Sequence, residues 1–338
     1  MSAIPDTFRA YVAEKRQDAD GVARVERAVR PFAAADLPDG EVVVRVGWSS
    51  VNYKDGLAVR PDGKVARISP LIPGIDLAGE VVASEVEDIP VGTSVVAHGY
   101  DLGVARHGGY AEYQRVPAGW VVPLAPGLTP REAMAIGTAG FTAAMSVVAL
   151  EERGLTPSDG PVLVTGASGG VGGTALAILA GRGYEVWAVT GKPEEHERLR
   201  ALGATGFLTR DEVAADGKPL ESERWAGAVD AVGAASLPYV LRTLRTGAAV
   251  ASSGNASGPA LHTTVFPFIL RGVALLGMDS VTVPIARRRW IWDRLATDLR
   301  PRALGESCAE VTLDTLDEAL DGIVAGSARG RWVVRVAD

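Results

Sequence analysis

The sequence predicts an α/β protein in which a β-rich N-terminal unit precedes a doubly wound parallel sheet. Three observations lead there. Over roughly the first 125 residues, short β-rich runs alternate with turn signals. From Pro161 onward, a strand, a glycine turn, a helix and a second strand follow one another, and further strand–helix pairs come after. The chain also spends 40 of its 338 residues on glycine, which suits many tight strand-to-helix turns. With 47% apolar residues, it can bury a sizeable core in two domains of ordinary size.

Taken in order, Glu41–Val46, Glu80–Val86, Ser94–His98 and Tyr110–Val116 read as strands of the first unit. Thr129-Pro130-Arg131-Glu132 then spells a capping box with proline at the first helical position, and an apolar helix runs on toward Leu150. Val162–Thr165 is a short buried strand that opens into GASGGVGG. Val171, Ala175, Ile178 and Leu179 follow at helical spacing and predict an amphipathic helix. Tyr184–Val189, Ala228–Val232 and Ala248–Ser252 continue the sheet, with a helix over Leu237–Arg245. From about Asp279 comes a charged helix bearing Trp290 and Trp292. The closing strand, Arg331–Val336, is positioned to pair back onto the first domain.

Several classes fall away on composition. A net charge of −7 offers no basic surface to nucleic acid or acidic lipid. The single cysteine, Cys308, excludes an intramolecular disulfide framework and a cysteine-rich zinc lobe. The N-terminal stretch is charged and shows no apolar secretory segment, and the least charged window, Pro161–Gly181, is broken by glycines. The expectation is a soluble, cytoplasmic protein.

The turn after Val162–Thr165 carries Gly166, Gly169, Gly170 and Gly172, a G-x-x-G-G-x-G spacing rather than G-x-G-x-x-G. Its context of strand, helix and second strand predicts an anion cradle for a dinucleotide pyrophosphate. Eighteen residues beyond Gly172, Thr190-Gly191-Lys192 ends the next strand without a carboxylate. Hydroxyl, glycine backbone and ammonium suit a ribose 2′-phosphate, so the predicted cofactor is NADPH. The alternative makes Lys192 a solvated lysine and gives the acidic role to Glu194 or Glu195. Arg210 supplies a second cation for the adenosine end. In the first unit, Ser50-Val51-Asn52-Tyr53-Lys54-Asp55 concentrates amide, phenol, ammonium and carboxylate on what reads as a loop.

SSVNYKDGLA, PGIDLAGEV, HGGYAEY, GTAGFTAAM, VTGASGGVGG and TTVFPFILRGVALLGMDSV together resemble the medium-chain dehydrogenase/reductase superfamily. Within it the chain is similar to the zinc-free quinone-oxidoreductase group, in the branch of NADPH-dependent acrylyl-CoA reductases. The resemblance implies a GroES-like catalytic domain over residues 1–128, completed by 279–338, and a Rossmann NADPH-binding domain over 129–278. It further implies cofactor contacts at Tyr53, Thr138, Ser168, Gly169, Gly170, Val171, Thr190, Gly191, Lys192 and Arg210. Asn255, Ile269 and Ser280 would line the nicotinamide side, although Asn255 stands where relatives often carry an aliphatic residue. A homodimer is expected as well, through an edge strand near Val273–Met278.

Zinc enzymes of this superfamily carry His-Glu where this chain has Ile75-Asp76. Catalytic zinc needs three protein ligands. The four histidines show no i, i+4 pair; His98 and His107 read as turn residues, and His196 as part of a solvated helix face. No metal is expected, and Asp76 reads as a structural acceptor of backbone N–H groups. The chemistry then left is reduction of an activated C=C bond, with Tyr53 as proton donor and Asn52 helping to orient the reactants. Water is the competing proton source. The expected substrate is an enoyl-CoA thioester, acryloyl-CoA first. A quinone is the alternative, and a non-catalytic NADPH-binding protein the second. In Arg287-Arg288-Arg289 a solvated basic face competes with a role for Arg288 in meeting coenzyme A phosphates.

Overall fold

The computed structural model describes residues 4–17, 20–234, 236–305 and 308–337. Along the chain come β1 (Thr7–Gln17), β2 (Ala23–Ala33) and β3 (Val42–Ser50), then the short helix α1 (Tyr53–Ala58). Next are β4 (Asp76–Ser84), β5 (Ser94–His98), β6 (Tyr113–Val116) and β7 (Val121–Pro123). The helix α2 (Pro130–Glu152) starts at the predicted capping box: Thr129 N donates to Glu132 Oε2 at 3.0 Å, and Glu132 N to Thr129 Oγ1 at 3.2 Å. Length and composition would let α2 cross a membrane, but Gly137 breaks it (φ 53°, ψ −164°) and most of its apolar stretch is buried.

Past α2 the predicted alternation appears: β8 (Val162–Val164), α3 (Gly170–Gly181), β9 (Val186–Val189), α4 (His196–Leu202), β10 (Ala204–Leu208) and α5 (Arg210–Ala214). It continues with β11 (Trp225–Asp230), α6 (Leu237–Thr243), β12 (Leu244–Ser252), α7 (Phe266–Arg271) and β13 (Ala274–Gly277). The chain closes with α8 (Ile285–Ala296), β14 (Cys308–Thr312), α9 (Leu316–Val324) and β15 (Arg331–Arg335).

Two compact units result. The first takes in residues up to Thr138, then Val281–Ala296 and the chain from Gly305 onward. The second is Ala139–Ser280 with Thr297–Leu304. The chain therefore changes unit one residue after the break at Gly137, and residues 129–138 pack with the first unit.

In the first unit β1 and β2 form an antiparallel ribbon, and a second sheet has the order β14-β15-β3-β4-β5-β7 with β6 also paired to β3. The C-terminal strand pairs antiparallel to β3, Val333 opposite Ser50. Its core gathers Val42, Val44, Val46, Ile72, Leu77, Val81, Leu316 and Leu320, all essentially buried. Each such aliphatic side chain contributes about 1.5–3 kcal/mol.

The second unit is a parallel sheet of order β10-β9-β8-β11-β12-β13, doubly wound about β8. Its α3 is not amphipathic as expected: Gly172, Gly173 and Ala175–Ala180 are all buried, so the helix lies inside rather than on one face. A separate cluster around Leu163, Trp225, Val240 and Leu244 fills the sheet's other side.

Candidate active site

In the second unit, Gly166–Val171, Thr190–Lys192 and Arg210 follow the carboxyl ends of β8, β9 and β10, the usual ligand edge of such a sheet. Gly166, in the left-handed region at φ 60°, turns the chain out of β8. Gly169 N donates back to Gly166 O at 2.9 Å, and the first bond of α3 runs from Gly173 N to Gly169 O at 2.9 Å. The N–H groups of Gly170, Val171 and Gly172 precede that bond and form the open end of the helix. A Cβ on Gly172 would collide with the Gly166 carbonyl, so only glycine permits this close turn. Beneath it, fully buried Asp230 at the end of β11 accepts from Thr165 Oγ1 at 2.7 Å, Ser236 Oγ at 3.0 Å and Gly233 N at 3.0 Å. Sequence reading missed Asp230, because a carboxylate ending a strand carries no signal of its partners.

At the end of β9, Thr190 is buried and its hydroxyl accepts from Lys192 N at 3.1 Å. Arg210, exposed at the start of α5, lays its side chain across Gly191, where an added Cβ would come within 2.8 Å of Arg210 Cδ. Glycine at 191 thus lets the Arg210 stem and its Nε lie against the backbone between Thr190 and Lys192. Of the two acids named for that role, Glu195 faces elsewhere. Glu195 is buried and accepts from Arg198 Nε at 2.6 Å, while Arg198 Nη2 donates to Ser168 O at 3.3 Å. Glu194 is exposed. His196 does not stand on a solvated face but stacks on Phe207, with centroids 4.0 Å apart. Asn255 is exposed after β12, Ile269 is 68% exposed on α7, and Ser280 is nearly buried beyond β13.

In the first unit, the stretch after β3 is a helix rather than a loop. Asn52 precedes α1, and Asp55 closes its first turn by accepting from Asn52 N at 2.9 Å. Asp55 is fully buried and also accepts from Ile75 N at 2.9 Å. Burial, with Asp76 nearby, pushes its carboxyl up to about 7. Tyr53, at the first helical position, is 48% exposed.

The buried centre of this unit is Asp76. Its carboxylate accepts from Ser50 Oγ at 2.5 Å, Asn52 Nδ2 at 2.8 Å, Thr138 N at 3.0 Å and Thr138 Oγ1 at 2.5 Å. Arg331 from β15 stands behind these groups, donating to Ser50 Oγ at 2.9 Å and Asn52 Oδ1 at 3.2 Å, with Nη2 3.9 Å from Asp76 Oδ2. Gly137 keeps its positive φ here because a Cβ would press on Arg331 and Asp76.

Three expectations change accordingly. Asp76 is a structural acceptor, but its donors are mostly side chains rather than backbone. Asn52 has both ends of its amide committed inside the cluster, so it positions neighbours instead of facing reactants. The Thr138 hydroxyl gives its proton to Asp76, which leaves it acceptor capacity alone for a cofactor. Arg331 had no signal in the sequence.

Arg288 is neither on a solvated face nor within reach of a surface phosphate. It is fully buried, with Nη1 2.8 Å from His98 Nδ1, Nη2 donating to Val281 O at 3.1 Å, and its guanidinium over the Tyr100 ring. Trp290 of that helix is exposed, with the guanidinium groups of Arg287 and Arg294 over its ring. His98 is the buried last residue of β5, not a turn residue, and takes an N–H from Trp292 Nε1 at 2.9 Å. Burial and the Arg288 charge hold its pKa well below the usual histidine value. His107 accepts from Ile72 N at 3.1 Å.

Residues 38–126 match the family model described as the alcohol dehydrogenase GroES-like domain, and residues 170–296 the one described as zinc-binding dehydrogenase. The chain belongs to the medium-chain dehydrogenase/reductase superfamily, with a GroES-like unit and a Rossmann unit. It is 50% identical over 330 residues, 97% of this chain and 99% of the relative, to the acrylyl-CoA reductase AcuI of Ruegeria pomeroyi. Over 97% of its length it is 45% identical to YhfP of Bacillus subtilis, covering 99% of that protein, whose name assigns it provisionally to the quinone oxidoreductases. The crystal structure of YhfP, with NAD bound, superposes with a TM-score of 0.93 at 45% identity, covering 98% of this chain and all (100%) of that one. The yhdH oxidoreductase of Salmonella enterica, in complex with NADP, does so at 0.93 and 46%, covering 97% of this chain and all (100%) of that one.

The donor set does not fit the zinc named by the second family model. Among the described residues no three His, Cys, Asp or Glu side chains group as metal ligands. Asp76 and His98 already accept hydrogen bonds, and Ile75 offers no donor atom.

Proposed function

We propose that this protein reduces the activated C=C bond of acryloyl-CoA to propionyl-CoA with NADPH. The carrying observation is 50% identity, along nearly the whole of both chains, to an acrylyl-CoA reductase. The residues fit the cofactor: the glycine turn ends in free-facing helix N–H groups, and Lys192 with Arg210 across Gly191 suits a 2′-phosphate. When bound, NADPH supplies a hydride to the β-carbon. In the first unit, Asn52 and Asp55 hold the start of α1, and with it the half-exposed Tyr53, whose hydroxyl is proposed to give the α-carbon its proton.

Following absorbance at 340 nm with NADPH or NADH against acryloyl-CoA, crotonyl-CoA and a quinone tests this reading. Turnover of quinone alone would favour the relation to YhfP. An unchanged rate in Tyr53→Phe would remove tyrosine as donor in favour of water.

The working form is proposed to be a cytoplasmic homodimer. β13 is an edge strand, and beside it Val265, Phe266, Ile269 and Leu270 of the α7 region are more than 40% exposed. Sedimentation equilibrium on the wild type and Ile269→Asp tests it. A monomeric wild type would refute the dimer.

A further inference from the structure

We propose that Arg198 is a positioning residue for the dinucleotide, pinning the peptide that presents the pyrophosphate-binding N–H groups. The inference rests on the reading of the second unit as the NADPH site. The peptide unit joining Ser168 to Gly169 is held at both ends: Arg198 Nη2 donates to its carbonyl at 3.3 Å, and its N–H donates to Gly166 O at 2.9 Å. This peptide comes immediately before Gly170, Val171 and Gly172, whose N–H groups open α3.

Glycine-rich backbone loses much conformational freedom when ordered, and a turn left free would spend binding energy on that ordering. Fixing one peptide plane beforehand lowers that cost. Arg198 is itself fixed. Glu195 is only 4% exposed, and a buried carboxylate needs a partner. It takes Arg198 Nε at 2.6 Å, one turn along the chain. Because Glu195 follows Lys192 by three residues, the same short segment serves both ends of the cofactor. Its start carries the proposed 2′-phosphate contact, and its side-chain pair locks the pyrophosphate turn.

The assignment differs in its consequences from direct contact with the 2′-phosphate. A pinned turn serves NADPH and NADH equally, whereas Lys192 serves NADPH alone. Binding of each reduced nucleotide is followed by nicotinamide fluorescence in wild type, Arg198→Ala, Arg198→Lys and Lys192→Ala, so no acyl substrate enters the test. Arg198→Ala is expected to weaken both nucleotides by the same factor, about tenfold. Arg198→Lys, keeping a donor and a charge, should recover most of the loss. If Arg198→Ala does not fold, Arg198→Met, which keeps the apolar stem and removes the donors, takes its place and should weaken both nucleotides several-fold.

Wild-type affinity in Arg198→Ala, or in Arg198→Met where the alanine variant does not fold, overturns the proposal, as does loss of NADPH binding with NADH unaffected. A wild type that binds neither nucleotide would instead sink the cofactor reading beneath it.

Discussion

The Asp76 cluster of the first unit and the glycine turn of the second are both polar, yet they use their hydrogen-bonding groups in opposite ways. Around Asp76, side chains from β3, α2 and β15 meet a carboxylate that is wholly buried, and each donor finds its acceptor inside the protein. At the turn, small residues clear space, and the first N–H groups of α3 precede the helix's first internal bond. A closed cluster of this kind specifies local geometry, because removing any partner strands the others in low dielectric. An open turn stores little stability and keeps its donors for a ligand.

The most severe way to break the closed side is Asp76→Ala. It would leave Ser50, Asn52 and Thr138 without their acceptor and Arg331 without its nearest carboxylate. We expect a loss of about 3–5 kcal/mol in urea unfolding.

Next comes pH. Asp55 in the native state titrates near 7, above the unfolded value of roughly 3.9. Between those values the native state holds the proton that the unfolded chain has lost. The contribution is therefore fully present below about pH 4 and is lost as pH rises through about 7, at up to about 1.4 kcal/mol per unit. Unfolding free energies at pH 5 and pH 8 should differ less in Asp55→Asn than in wild type; an equal difference would refute the assignment.

On the open side, Gly172→Ala forces a methyl against the Gly166 carbonyl and should cost about 1–3 kcal/mol in stability while weakening NADPH binding. The smallest effect is the most selective. Lys192→Ala should leave the melting temperature in place and cut the preference for NADPH over NADH by about tenfold, read from the two dissociation constants.

These contrasts also separate what was legible in the chain from what was not. The turn Gly166–Gly172 and the Thr190–Lys192 segment are local: strand, turn and helix follow one another within a few residues, so their periodicity and glycine spacing could be read directly. The capping box at Thr129–Glu132 is equally local, and its bonds form as expected. Arg288 misled because a run of three arginines looks like a charged face, and only the approach of β5 and Tyr100 shows the middle one buried. The interior position of α3 was hidden for a related reason. Apolar spacing on one face says nothing about what later strands and helices lay over the other.

Sequence by itself determined the two-unit α/β class, the glycine turn after β8 and the Thr190–Lys192 segment after β9, because each is written in neighbouring residues. Only the tertiary structure decided how the polar residues are spent. Arg331 reaches Ser50 across 281 positions, Thr138 reaches Asp76 across 62, and Arg198 reaches Ser168 across 30. Such contacts follow from sheet order and helix packing, and no local pattern encodes which distant donor a buried acceptor will meet.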